Sequence, residues 1–385
     1  MKVKMFKDDV IEGLKKAANI IPVKTGAAFL RTIWLKAEDG GLHIYATDSN
    51  LEFSGSYPAQ VIEPGLVGVQ GRAFYELLNK LPSDNLTLKI DPKTKNLLIE
   101  HGRRKYKLPT NDASWFQILT AFPDESPVLW SGETLKIIID QIAFCISEED
   151  TMEAAACMNL KPIAEEQAID VCGLNGHQFS MVRFQSEAML GLLPSEGILI
   201  QRKYLTELNK WLPLEEVDCN ISDKRFFFRT SDGRETFSLP LSYYQFPDYR
   251  NFIGRLADPD ATTVDLDKID LVDALNRILI FNSENNRCSY FDFEDSQLVL
   301  TAQGHEVGAA TEYIDVDKKG EFQKIAFPTR NFIEILNHFG SSKIRLTFTG
   351  NEGPCGVTGD KDLDYTVIIM PMKIIEETYY SEEEA

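Results

Sequence analysis

The sequence predicts an α+β protein of three repeated domains with mostly antiparallel sheet, and three observations carry that expectation. A twelve-residue text recurs as GRAFYELLNKLP (71–82), RKYLTELNKWLP (202–213) and TRNFIEILNHFG (329–340). The copies stand about 130 residues apart, the period of a domain repeat in a chain too long for one core. Between them the text alternates apolar and polar residues, as in LTLKIDPKTKNLLIEH and FFFRTSDGRETFSLPL, which is the period of half-buried strands.

Each repeat opens on a helix: VIEGLKKAANIIP from Val10, TLKIIIDQIAFCI from Thr134 and LVDALNRILIF from Leu271. A strand pair then closes on a small polar turn, within LHIYATDSN (42–50), AIDVCGLNGH (168–177) and QLVLTAQGH (297–305). A short strand, LVGVQ, GILIQ or KIAFP, leads into the second helix. There Phe74, Leu77, Leu78 and Leu81 fall at i, i+3, i+4 and i+7, as do Leu205, Leu208, Asn209 and Leu212, and Phe332, Ile335, Leu336 and Phe339. That spacing makes one apolar stripe on an amphipathic helix of about a dozen residues. Pro82, Pro213 and Gly340 follow the stripes and stop the helices. A strand meander completes each repeat, with SDGR (231–234) reading as a hairpin turn. Stretches rich in Pro and Asp, AFPDESPVL (122–130) and GRLADPDAT (254–262), mark the boundaries. The expected domains are 1–126, 127–256 and 257–376, with an acidic tail at 377–385 expected to be disordered.

Lys and Arg number 40 against 59 Asp and Glu, a net charge of −19. That excludes a protein that coats nucleic acid with its whole surface, but not a basic stripe on an acidic body. The stripe of each second helix faces its own core, so the opposite face looks outward. At matching positions that face carries Arg72, Lys203 and Arg330. Lys80, Arg202 and Lys210 lie on or beside the same helices, and the first helices add Lys15, Lys16, Lys136 and Arg277. For one helix, an ordinary solvated face explains this. Three copies in step favour a line of cations aimed at a polyanion such as the DNA backbone. Few aromatics interleave, so duplex contact fits better than stacking on single strands.

Catalytic motifs are missing: the chain has no GK[ST] loop, GxGxxG, HExxH or GxSxG. DKDLD (360–364) begins like an EF-hand loop but lacks its later Gly and Glu. Six cysteines form no CxxC pair and stand at no metal-ligand spacing with a histidine, so they read as buried thiols. No metal or cofactor is implied. His177 and His305 recur beside Gly176 and Gly304, and with no nucleophile or acid recurring alongside, a structural or binding role is expected. No apolar run is long enough for a membrane helix and the N-terminus has no signal-peptide core, so a soluble cytoplasmic protein is expected.

At specific motifs the chain resembles the bacterial sliding clamp family, the beta subunit of DNA polymerase III. GLNGHQF (173–179) is similar to the family's TDGHRL loop, YQFPDYRNFI (244–253) to its FPDYRRV stretch and IIMPMKI (368–374) to its VMPMRL ending. MKVKMFKDDVIEGLKKA is similar to its opening helix. The resemblance runs to about residue 374. It implies a head-to-tail homodimer, a ring with helices lining a central hole, sheets outside and duplex DNA threaded without sequence preference. Non-catalytic, it would confer processivity in DNA replication. Its partners would be the replicative polymerase, the clamp loader and repair polymerases, each bound through a short linear peptide, and the protein would be bacterial, cytoplasmic and nucleoid-associated.

Carried over residue by residue, the resemblance places the peptide groove at Leu174, Gly176, His177, Gln178 and Phe179, with Pro247, Asn251 and Phe252. Its floor and rim would be Ile368, Met370, Pro371, Met372, Lys373 and Ile374. Leu174, Gln178 and Asn251 replace the family's usual Thr, Arg and Arg, which implies a less cationic groove with altered peptide preference. The dimer joint would use Tyr106 and Leu108 against Ile280 and Phe281. Lys24, after the first helix, aligns with a DNA-contacting residue of the family. A peptide-binding adaptor that never encircles DNA is the competing reading.

Overall fold

The computed structural model describes residues 1–23, 27–38, 40–222, 224–282, 287–294, 296–304, 307–321, 324–350, 353–362 and 364–373. The chain divides into two compact units, Met1–Ile139 with Ser186–Tyr243, and Asp140–Gln185 with Tyr244–Ala385.

The first unit holds helices α1 (Lys7–Ile20) and α2 (Gly71–Asn79), most of α3 (Gly132–Ala143), α4 (Glu187–Leu192) and α5 (Arg202–Trp211). One antiparallel sheet runs in the order Gln60–Glu63, Lys2–Phe6, Asn85–Ile90, Leu97–His101, Arg104–Leu108. A second begins with Thr110–Asn111, Gly65–Gln70, Thr32–Glu38, Gly41–Thr47 and Glu52–Tyr57. It continues through Glu235–Pro240, Arg225–Thr230 and Glu216–Ile221 to Val128–Ser131. The strands of the first repeat and the meander of the second therefore share one sheet, joined where Phe53 pairs with Phe237 and Gly55 with Glu235. The SDGR turn forms as expected between Arg225–Thr230 and Glu235–Pro240, with Gly233 at φ 69°, a conformation glycine adopts without strain.

The second unit holds α6 (Arg250–Leu256), α7 (Lys268–Leu279) and α8 (Thr329–Asn337). Its larger sheet runs Cys157–Ile163, Ala168–Leu174, Gln178–Phe184, Tyr365–Ile369, Cys355–Gly359, Lys343–Phe348, Thr262–Asp267, Asp317–Lys319. Here again strands of two repeats share a sheet, joined where Phe179 pairs with Ile368. The smaller sheet runs Gly308–Asp315, Gln297–Gly304, Cys288–Phe293, Lys324–Pro328.

The repeat is visible in single hydrogen bonds. Lys7, at the start of α1, donates from Nζ to Leu81 O at 2.7 Å, and Lys268, at the start of α7, donates to Phe339 O at 2.6 Å. Each cation sits at the carbonyl end of the following second helix, where the helix dipole favours it. The second helices are shorter than their stripes, at nine, ten and nine residues. Leu81, Leu212 and Phe339 lie just past each helix end and are still buried. Two short helices had no periodicity to announce them. α4 is capped by Ser186, whose Oγ accepts from the Met189 amide, and α6 follows the FPDY text directly. All six cysteines are buried free thiols, and no helix of the described residues is long and apolar enough to cross a membrane.

Candidate peptide groove and cation-bearing helices

The residues expected to line a peptide groove begin with a β-hairpin in the second unit. Ala168–Leu174 and Gln178–Phe184 pair with Leu174 opposite Phe179, Cys172 opposite Met181 and Asp170 opposite Arg183. Because side chains alternate along a strand, these three pairs share one face. Ile368 lies beside Phe179 on the next strand, so Leu174, Phe179 and Ile368 form a row across three strands. Phe179 and Ile368 are buried in a cluster with Cys172, Met181 and Tyr249, against which Leu174, Phe246, Ile253 and Leu256 also pack.

Around this row stand the other expected groove residues. Gly176 and His177 are exposed in the hairpin turn, with Gly176 at φ 89°. Asn175 Oδ1 accepts from the amides of His177 and Gln178, which fixes its Nδ2 as a donor to Gln178 Oε1 at 3.1 Å. That leaves Gln178 Nε2 a buried donor with no partner, and buried donors ordinarily have one. The strand Tyr365–Ile369 ends, but its chain stays tied down. Met370 N donates to His177 O at 2.9 Å, and Met372 N to Ala326 O at 2.8 Å. Met370 and Met372 both keep about two fifths of their surface exposed, Pro371 is half-buried and Lys373 exposed. Pro247, Asn251 and Phe252 are exposed on the segment of α6. Ile374 lies outside the described residues.

On the same face of the hairpin lies a polar cluster that the sequence reading missed. Arg183 Nε and Nη2 donate to the two Asp170 oxygens at 2.6 and 2.9 Å, and Arg183 also pairs with Glu166. Tyr249 donates its hydroxyl to Asp170 Oδ2 at 2.8 Å and stacks its ring on Phe179, centroids 5.4 Å apart. Burial, aided by Cys172 and Asp170, pushes the Tyr249 hydroxyl far above the ordinary tyrosine range. Burial likewise raises the Cys172 thiol. The clue was in the text, an Asp and an Arg placed to face each other across a hairpin, but only the register pairs them.

The expected cations differ in what they do. In the first unit, Arg72, Lys203 and Lys210 from α2 and α5 line one open cleft of about 510 Å³ beside the end of α1. Arg72 Nε is shut from solvent without an acceptor there. Lys210 pairs with Glu207 at 2.8 Å, Lys15 with Glu12 at 3.2 Å and Lys16 with Glu235 at 2.6 Å. Arg277 holds Glu312 with two hydrogen bonds of 2.7 and 2.8 Å. Lys80 caps α2 and is exposed, as is Arg330, while Arg202 and Lys136 are half-buried. Lys24 and His305 lie outside the described residues. Among the described residues, no three His, Cys, Asp or Glu side chains gather as a metal site.

Tyr106 and Leu108 sit half-buried on Arg104–Leu108, an edge strand of the first unit. In the second unit the edge strand Gly308–Asp315 lies beside α7, as the Arg277–Glu312 pair shows. Ile280, just past α7, is 69% exposed, whereas Phe281 packs against the unit's core.

Known proteins resemble the chain over nearly its whole length. Residues 1–120 match the family model described as DNA polymerase III beta subunit, N-terminal domain, and residues 258–373 match its C-terminal domain. The beta sliding clamp of Caulobacter vibrioides is 24% identical over 379 residues, 97% of this chain and all of that one. The solved sliding clamp of Caulobacter crescentus superposes with a TM-score of 0.88 at 23% identity, and that of Pseudomonas aeruginosa bound to griselimycin with 0.87 at 22%. Each superposition covers 97% of this chain and the whole of the other. With two domain models of one subunit together matching more than half of its length, the chain belongs to the DNA polymerase III beta subunit family.

Proposed function

We propose that this protein is a DNA sliding clamp: two copies close head to tail into a ring around duplex DNA and tether a polymerase and other clients. It is an accessory subunit without catalysis of its own. The observation that carries the reading is a pair of sheet edges of opposite charge. The edge Arg104–Leu108 reads RKYKL, while Gly308–Asp315 carries no cation and ends on an exposed Asp315, with Tyr313 exposed and Glu312 held by Arg277. An open edge is a row of unpaired backbone donors and acceptors, which proteins cover, blunt or pair. A second copy supplies the partner for each edge, and opposite charge selects this pairing over like edges. Tyr106 and Leu108 then meet Ile280 of the other copy.

On this reading the three domains are 1–126, 127–256 and 257–376, each bringing two helices to the hole. Arg72, Lys203, Lys210 and Arg330 face the duplex, and a cation that holds an ion pair, as Lys210 does with Glu207, exchanges a carboxylate for a phosphate as it passes. Weak exchangeable contacts suit a ring whose attachment is topological. The groove of Leu174, Phe179, Ile368, Met370 and Met372 takes apolar anchors of client peptides, and unbranched Met adapts to several of them. The protein works in the bacterial cytoplasm, on the nucleoid.

The test is retention on nicked circular DNA after clamp-loader-assisted loading, with a wash in high salt that weakens phosphate contacts. A clamp stays on the circle and runs off once it is linearised. Loss in salt alone, or no change on linearisation, overturns the ring.

A further inference from the structure

We infer that Tyr249, anchored on Asp170 and Arg183, is a positioning residue that sets the place of the groove wall and so the grip on a peptide; this rests on the groove reading above. The argument starts from the hairpin face. Its three cross-strand pairs change character along the strand: Leu174 with Phe179 in the groove, Cys172 with Met181 below, and Asp170 with Arg183 at the base. Tyr249 lies along that face and touches two levels, its ring on Phe179 and its hydroxyl on Asp170. Tyr249 is also the residue from which α6 starts, and the amides of Phe252 and Ile253 donate to its carbonyl at 3.0 and 3.2 Å. Whatever holds Tyr249 therefore holds the first turn of the helix that carries Asn251 and Phe252.

The other end of α6 is seated on the same sheet. Gly356 pairs with Ile368, extending the row of Leu174, Phe179 and Ile368 by one strand. A Cβ at Gly356 would stand 2.7 Å from a Leu256 methyl, so the last residue of α6 rests on a space that only glycine leaves. The helix is thus pinned at both ends over one row of the sheet, with its middle exposed as a wall. The apolar pin at Leu256 is non-directional and tolerates sliding. The hydrogen bond to a carboxylate is directional and charge-assisted, and the bidentate arginine fixes the carboxylate in turn. Asp170 is 1% exposed, so a hydroxyl withdrawn from it is not replaced by bulk water.

The experiment uses the full chain, its Tyr249→Phe variant, which keeps the ring, and Asp170→Asn, with a short fluorescent peptide carrying leucine and phenylalanine anchors as the probe. Three quantities are read: amide hydrogen exchange over 249–256, the peptide off-rate and affinity, and the melting temperature. Both variants are expected to speed exchange in α6 selectively. They should also weaken the peptide about tenfold, mostly through the off-rate. Unchanged exchange in Tyr249→Phe overturns the latch. So does faster exchange with unchanged affinity, or a fall in melting temperature alone, which describes a structural residue only. If the wild-type chain fails to bind the peptide, the groove reading falls instead, and the exchange arm still decides whether the latch holds α6.

Discussion

Lys16 donates to Glu235 at 2.6 Å although 219 residues separate them. Glu235 is nearly buried, takes the Tyr57 hydroxyl on its other oxygen at 2.8 Å and so ties α1 to the meander strand of the next repeat. An ammonium read from sequence as facing DNA is thus also a structural cation. Removing it as Lys16→Met leaves a buried carboxylate with one donor, a loss of roughly 3 kcal/mol. Glu235→Gln is expected to lose less, because its amide still accepts from Tyr57. Lys16 also lies 5.9 Å from the centre of the Trp211 ring, so tryptophan fluorescence in a urea titration reports the change. A Lys16→Met chain with an unmoved midpoint would show that the pair adds nothing.

Gly13 of α1 and Gly55 of the facing strand both give their missing side chain's space to the Tyr57 ring. Helix propensity alone would favour Gly13→Ala by about 1 kcal/mol. Overpacking at a site with no room costs about 1–3 kcal/mol. The steric term is expected to win, so Gly13→Ala should lower the melting temperature; a rise would mean that the tyrosine swings away freely.

Arg277 gives one edge of its guanidinium, Nε and Nη2, to the two Glu312 oxygens. If α7 faces DNA, Glu312→Gln weakens the competing carboxylate and releases the cation. Affinity for a linear duplex should then rise, with a salt slope steeper by about one phosphate contact. Equal slopes for the two proteins would place Arg277 away from the duplex.

The proposed joint makes a sharper demand. Leu108→Glu or Ile280→Glu sets a carboxylate into an apolar contact, and either is expected to give a folded monomer. Sedimentation equilibrium reads the mass and circular dichroism the fold. Persistent dimers would move the interface elsewhere.

Asp265 faces Arg345 in register across two strands, and the arginine's hydrogen bonds hold its carboxyl below the usual range. A depressed folded pKa means stability present above the unfolded value, near 3.9, and lost as pH falls through the folded value. Arg345→Met should therefore lower the melting temperature at neutral pH, modestly because the pair is half in solvent. The difference should shrink as pH falls below the unfolded value and on through the depressed folded one, as Asp265 becomes protonated in both proteins. A gap that stays constant through that range would trace to packing, not charge.

Periodicity carried a long way here. The 3.6-residue stripes placed all three second helices, because a helix of two or three turns must bury one face whatever surrounds it. Phe74, Leu205 and Phe332 are fully buried as that rule requires. Alternation and SDGR placed the hairpins for the same local reason. α6 escaped because seven residues with exposed Asn251 and Phe252 show no stripe; its end contacts at Phe179 and Gly356 come from strands far away in the chain. The repeated helix positions likewise said where cations stood in the text but not which carboxylates they meet. Glu235 and Glu312 reach Lys16 and Arg277 only through sheet register and helix packing. Local text determines what each segment must be, since propensity and burial act over a few residues. Which segments then meet is decided by long-range pairing, and there the Asp170, Arg183 and Tyr249 cluster and the carboxylate partners of Lys16 and Arg277 arise.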